Sequence, residues 1–426
     1  MRRCWMAVLA VLVAGCSGRK DDGGGVAAVE VWFHTGQPGE QRTLEGQVAR
    51  FNGSQREVVV HLTCLPEGGY NAQVQAAAAA GDLPDLLQVD GPFLYRYVWQ
   101  EVVRPLDGFL PEAVVADLLP SIRDQGTYQG LLYGVGTFDS GLGLWGDRRR
   151  LAAADVPIPT GPEQAWSVDA FDQILDRLAA ADADGAVLDL KLNYTGEWFT
   201  YAFSPVLQSA GADLIERNSG QAGNVVDSSA AVAALTRVQG WIQRRRVDPN
   251  LDDAAFTTGR VALSWAGHWE YPRYHAALGD DLVLLPLPDF GHGSRTGQGS
   301  WQWVIFARSS HPDAAARFLA FLLRPEEVAA MAAANGAVPA TRAAVATSPL
   351  YRDGGPLRLF VEQLTGGVSV PRPRTPAYPV ITAAFQRAFD DLRNGGNVQQ
   401  ALNRAAATID RDVTDNLGYR SAAEPP

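Results

Sequence analysis

This sequence predicts an α/β protein in two lobes, and three observations carry the expectation. Its 426 residues exceed what one ordinary hydrophobic core organises, so two lobes are expected. Strand-like and helix-like segments alternate between residues 29 and 90, the sign of a parallel sheet with crossover helices. A second set of strand-like runs begins near residue 131, with helices of its own. The hydrophobic share of 46% and charged share of 19% are those of a soluble globular chain, so both sets of segments can build cores.

The elements follow in order. "VEVWF" (29–33) alternates as a strand, and "QRTLEGQVARFN" places Leu44, Val48 and Phe51 on one helical face. "EVVVHL" (57–62) is a second strand, and "YNAQVQAAAAAG" (70–81) is an alanine-rich helix with Gly81 as its C-cap. "PDLLQV" (84–89) is a third, apolar strand. In such sheets ligands sit at the carboxyl ends of strands, which draws attention to His34 to Gln37 and to Asp90. Beyond "LLYGV" and "GLGLW" (131–145), Ser167 is the N-cap of a helix, and strands are expected at 186–192, 261–265, 282–288 and 300–307. Helices are expected near 197–210 and 228–245, and two proline-started helices at 311–323 and 325–335, the second stopped by Asn-Gly. Two amphipathic helices close the chain before a loose tail, 419–426.

The N-terminus reads as an export signal: a basic start, an apolar run far shorter than the roughly 20 residues of a membrane span, and small residues before Cys16. "VAGC" resembles the bacterial lipoprotein signal, which implies removal of residues 1–15 and a lipid on Cys16, with residues 16–28 as a glycine-rich tether. Cys64 is then the remaining thiol, so no internal disulfide is expected, and no Cys/His spacing suggests a metal. The net charge of −11 and the absence of a basic stripe argue against nucleic acid. The two lysines, Lys20 and Lys191, follow no phosphate loop. "GLGLWG" (141–146) matches G-x-G-x-x-G but lacks the companion acidic position of a dinucleotide site, and no cofactor is expected.

Ten segments then recur in the order found in one family. They include "VWFHTGQPGEQRTLEGQVARFN", "AAAAAGDLPDLLQVDG", "YGVGTFDSGLGLW", "FTTGRVALSWAGHW", "FARSSHPDAAARFLAFLLRPE" and "PRPRTPAY". Over roughly residues 29–410 the chain resembles the extracytoplasmic solute-binding proteins of ABC importers, specifically the maltose-type sugar binders. The resemblance implies a two-lobed type II periplasmic-binding-protein fold with three hinge crossings, near Thr137, Phe290 and Gly336. Lobe 1 would hold residues 27–137 plus 290–336, and lobe 2 residues 138–289 plus 337–418. It also implies a monomeric, non-enzymatic receptor that closes on its ligand and is read by a membrane permease.

Sugar recognition needs flat apolar faces and a rim of hydrogen-bonding groups. Trp269, just past "VALSW", matches the family's cleft tryptophan, Trp301 a stacking residue, and Arg372 the family's arginine. Trp303 shares the parity of Trp301 and faces either cleft or core, whereas Trp265 shares parity with Val261 and Leu263 and reads as core. Asp90 and Asp139 either bridge sugar hydroxyls or cap the turns that follow. Tyr70, His34, Gln37, Trp198 and Tyr378 complete the candidates, while His268 reads as a satisfied loop residue. Two other functions stay open. A secreted carbohydrate hydrolase would pair carboxylates drawn from Asp90, Asp139, Glu197 and Glu270. A binder of another solute would show its chemistry: several arginines for a polyol phosphate, or several carboxylates around aromatics for a cationic amine.

Overall fold

The alternating apolar residues of the first strand segment fold as Ala27–Thr35, burying Val29, Val31 and Phe33. In the computed structural model, which describes residues 25–419, this strand pairs in parallel with Val58–Pro66 on one side and Leu86–Asp90 on the other. Trp301–Ile305 completes the four-stranded sheet, antiparallel to Leu86–Asp90, with Trp301 opposite Asp90. The helix Pro38–Ser54 covers one face through Leu44, Val48 and Phe51. The helix Glu67–Ala80 covers the other and ends at Gly81, whose φ of 71° lets its N–H reach the carbonyls of Ala77 and Ala78. Because the strands run in parallel, His34, Glu67 and Asp90 all emerge at one end of the sheet.

The second sheet has the order Leu282–Leu285, Leu142–Asp147, Leu263–Gly267, Leu188–Asp189. Its core contains Trp265, 1% exposed and stacked near Phe203, as its parity predicts. Ser167 caps the helix Val168–Ala180 by accepting from the Ala170 N–H. The closing helices Tyr378–Arg393 and Val398–Asp415 pack together over this core.

Several boundaries differ from expectation. The strand expected at 186–192 shrinks to Leu188–Asp189, because the Asp189 side chain accepts the Lys191 N–H and Lys191 turns left-handed at φ 53°. The run at 282–288 stops before Pro286, which has no N–H for the ladder. The strand expected at 261–265 lies at Leu263–Gly267. Phe290 packs against the second core beside Trp241. Thr296–Gln298 also stays with that side, since the Thr296 hydroxyl bonds Leu142 and the strand pairs with Ser369–Pro371. The chain reaches the first sheet only at Trp301. Another ribbon, Phe138–Asp139 with Val338–Pro339, joins the two sides. Tyr419, expected to open the loose tail, is buried against Trp99. The signal segment, Cys16, most of the tether and residues 420–426 lie outside the described residues. Among the described residues no helix is long and apolar enough to cross a membrane.

Candidate ligand-binding cleft

Between the two sheets lies a cleft of about 940 Å³. Its first wall is built at the strand ends. The His34 ring stacks on Trp301 with centroids 3.6 Å apart and planes 11° from parallel. His34 is held in place by an Nδ1–H bond to the Gln88 side-chain Oε1 at 2.7 Å, and burial lowers its pKa to about 3, so it is neutral. Gln37 and Glu40 continue this wall.

The opposite wall comes from the exit of Leu263–Gly267 and the start of the helix Trp198–Ser209. The Trp269 ring folds back over Gly267 so closely that a Cβ there would sit 2.0 Å from it, which explains the glycine. Trp269 meets Trp198 edge-on at 6.0 Å and Tyr201 at 6.3 Å.

Arg372 joins the walls. Its guanidinium bonds Asp90 of the first sheet at 3.1 Å and Glu197 of the second side at 2.8 Å, and lies 4.9 Å over the Tyr201 ring. Gly299, at φ 138°, leaves room for it: a Cβ there would lie 2.9 Å from Arg372 Nη2. Glu197 also accepts from the hydroxyls of Tyr378 and Thr382. Burial raises the Glu197 carboxyl, Arg372 opposes this, and the charge of Asp90 adds to it.

At the back of the cleft the proton positions can be assigned. His268 Nδ1–H donates to the Asn335 carbonyl at 3.0 Å, so Nε2 accepts from the Ser140 hydroxyl at 3.1 Å. Ser140 therefore accepts from Tyr201 at 2.9 Å. Asn335 Nδ2 in turn donates to Glu40 at 2.8 Å. Burial holds His268 neutral, with its pKa lowered to about 4.

Of the sequence-predicted residues, the fold brings His34, Gln37, Asp90, Trp198, Trp269, Trp301 and Arg372 onto the cleft surface. Four others lie behind it. Asp139 is fully buried because its neighbours Phe138 and Ser140 face the cleft and the strand turns it away; it accepts from Gln125 and the Ser140 N–H. Trp303 sits one pleat deeper than Trp301 and stacks on Phe33 in the core. Tyr70 is buried and donates to the Gln88 carbonyl. Tyr378 packs edge-on against Phe93 and reaches the cleft only through Glu197. Sequence reasoning treated Glu197 only as a hydrolase carboxylate and left out Glu40, Glu67, Ser140 and Tyr201. Glu197 precedes a helix just past the strand Leu188–Asp189, the position where the strand-end rule could have found it. Among the described residues no cluster of His, Cys, Asp and Glu could hold a metal ion.

The family described as bacterial extracellular solute-binding protein matches residues 46–355. An uncharacterised lipoprotein from the oleD 5′ region of Streptomyces antibioticus is 25% identical over 348 residues, covering 78% of this chain and 75% of that one. Two solved structures share the fold. The GacH receptor of Streptomyces glaucescens, determined unliganded and with acarbose, has a TM-score of 0.77 at 20% identity, over 93% of this chain and 100% of that chain. An ABC transporter solute-binding protein of Thermotoga lettingae, bound with α-D-tagatose, has 0.79 at 20% identity, over 90% and 99%. The matched span covers most of the chain, and its two-sheet architecture with a central cleft is that of these relatives: the chain is a member of the bacterial extracellular solute-binding protein family.

Proposed function

We propose that this protein is an extracytoplasmic receptor that binds a sugar or oligosaccharide by closing two lobes on it and delivers it to an ABC importer. One observation carries the reading: aromatic faces stand on both walls, the His34–Trp301 stack on one and Trp269 with Trp198 on the other, around Asp90, Glu197 and Arg372. Such faces bury the C–H side of a sugar ring, while carboxylates and a guanidinium take its hydroxyls. The α-D-tagatose of the Thermotoga relative belongs to the same ligand class.

The receptor is taken to be a monomer, tethered through a lipid on Cys16 and read by permease subunits in its closed form. Residues 290–298 go with lobe 2, because Phe290 and Thr296 pack there; the lobes then comprise 27–137 plus 299–336 and 138–298 plus 337–418. Closure is a hinge motion about the paired crossings.

The role is non-catalytic. A glycosidase needs one protonated carboxyl and one free carboxylate flanking the bond. Asp90 and Glu197 instead share one guanidinium, and Asp139 and Glu270 do not line the cleft. Titration of mono-, di- and oligosaccharides against tryptophan fluorescence and melting temperature tests the reading. A saccharide at 100 times its Kd adds about 2.7 kcal/mol of stability. Appearance of cleaved sugar on incubation would overturn the non-catalytic role.

A further inference from the structure

Charge is unevenly distributed over the cleft. Glu40, Glu67, Asp90, Glu197 and Asp253 line it against one cation, Arg372, and the lining histidines are neutral. Three of these carboxylates are already matched. Asp253 pairs with Lys191 at 2.9 Å and Arg273 at 2.8 Å. Glu197 has Arg372, Tyr378 and Thr382. Glu40 accepts from the Gln37 N–H at 2.7 Å and from Asn335. The unmatched capacity is on the first wall. Glu67 makes no ion pair or hydrogen bond among the described residues, and Asp90 meets Arg372 through Oδ1 alone.

Two residues with little exposure add polar atoms at the same pole. His34 is 2% exposed; with Nδ1–H given to Gln88, its Nε2 is an acceptor to which no described residue donates. Ser300 is 5% exposed, and its Oγ has no partner among the described residues. Both residues line the cleft. They are neighbours of Asp90 by construction: His34 stacks on Trp301, Ser300 precedes it, and Trp301 lies opposite Asp90 in the sheet. The pole therefore gathers two carboxylates, a neutral imidazole nitrogen and a hydroxyl. A sugar hydroxyl would bring one proton and no charge to this set, whereas an ammonium group brings three donors and the missing positive charge. Crowding by the cleft walls, with the like charges of Glu40 and then Asp90, raises the Glu67 carboxyl above the ordinary range even though its side chain stays open to the cleft. A bound cation would relieve that repulsion.

Building on the saccharide reading above, we infer that the ligand is an aminated saccharide whose ammonium group is held by Asp90, Glu67 and His34 Nε2, with Ser300 Oγ beside it. The ammonium takes the Oδ2 side of Asp90, since Oδ1 is held by Arg372, and the remaining sugar surface lies between the Trp301 and Trp269 faces. The acceptors select the amine, and the aromatics select the ring.

Calorimetric titration tests this with matched probes: glucosamine and galactosamine, and glucosamine oligosaccharides of two to six units, each against its N-acetylated twin, with putrescine as a non-sugar cation. The free amine is expected to bind about tenfold more tightly than its twin, a difference of about 1.4 kcal/mol. Glu67→Gln, at an exposed position that does not threaten folding, is expected to cut that ratio about threefold, the scale of a partly screened charge pair. N-acetylated or neutral sugars binding as tightly as the amines would overturn the inference and leave the saccharide reading intact. Putrescine binding as tightly as the amino sugars would overturn the saccharide reading and with it this assignment. Failure of every probe to bind would overturn the inference, and the saccharide reading would then rest on the neutral saccharides titrated to test it.

Discussion

Lys191 and Arg372 are both buried cations among carboxylates, yet they do different work. Lys191 is 1% exposed and has Asp189, Asp253 and Glu270 at 3.4, 2.9 and 3.4 Å, with the Tyr194 and Tyr274 rings 5.2 and 5.5 Å away. All of these belong to the second side of the molecule, so opening the cleft leaves the cluster whole. Arg372 instead divides its bonds between Asp90 of the first sheet and Glu197 of the second side. Its cluster spans the cleft from one wall to the other. One network therefore holds a lobe together, and the other couples the lobes.

The sharpest way to break this contrast is to remove each cation in turn. Lys191→Met leaves Asp189 and Glu270 buried with less compensation, and breaking such a pair costs about 3–5 kcal/mol. Denaturant titration should show that loss, and a variant as stable as wild type would show that the cluster is dispensable. Arg372→Met should cost less stability, because Glu197 keeps Tyr378 and Thr382 and Asp90 can meet water when the cleft opens. Its effect should fall on binding instead, with affinity down about thirtyfold, the scale of a central interface residue. Equal stability losses in the two variants would erase the distinction.

Trp269→Ala sharpens the comparison within the binding surface. The ring is half-buried at the cleft surface, edge-on to Trp198 and His268 and tilted against Tyr201, so its removal should cost affinity about tenfold, near 1.4 kcal/mol. The melting temperature should change little. Wild-type affinity in this variant would show that the ring only packs.

The strands and helices around both sheets were legible because apolar periodicity and caps such as Ser167 and Gly81 are local signals. Trp269 and Arg372 were legible only through resemblance, since nothing local distinguishes them from other aromatics and arginines. Asp139 and Trp303 show where such reading stops. A strand's parity places Trp303 on the same side as Trp301, but depth along that strand puts one in the core and the other at the rim. Glu67 and Glu197 lie 130 positions apart in the chain, and only the tertiary fold sets them in one cleft. Charge balance in a cavity is a property of that juxtaposition and has no local trace.

The finest test concerns the chain Tyr201–Ser140–His268–Asn335, which ties the second side to the helix Pro325–Asn335 through a neutral imidazole. Burial lowers the folded pKa of His268 to about 4 from an ordinary 6.5. Between these values the unfolded chain binds a proton that the folded chain refuses, so this residue's contribution to stability is complete above pH 6.5 and is lost as pH falls towards 4. Buried carboxyls such as Asp139 and Asp189 are shifted upward and act in the opposite sense, so the total profile does not isolate the histidine. A difference measurement does. His268→Asn keeps a donor for the Asn335 carbonyl and an acceptor for Ser140 but does not titrate. Its deficit at pH 7, about 1 kcal/mol for altered hydrogen-bond geometry, should shrink as pH falls, reverse at about pH 6 and leave the variant the more stable of the two at pH 4. A deficit independent of pH would mean that His268 takes up its proton as readily in the folded chain as in the unfolded one, and that burial does not hold its Nε2 as an acceptor for Ser140 below pH 6.5.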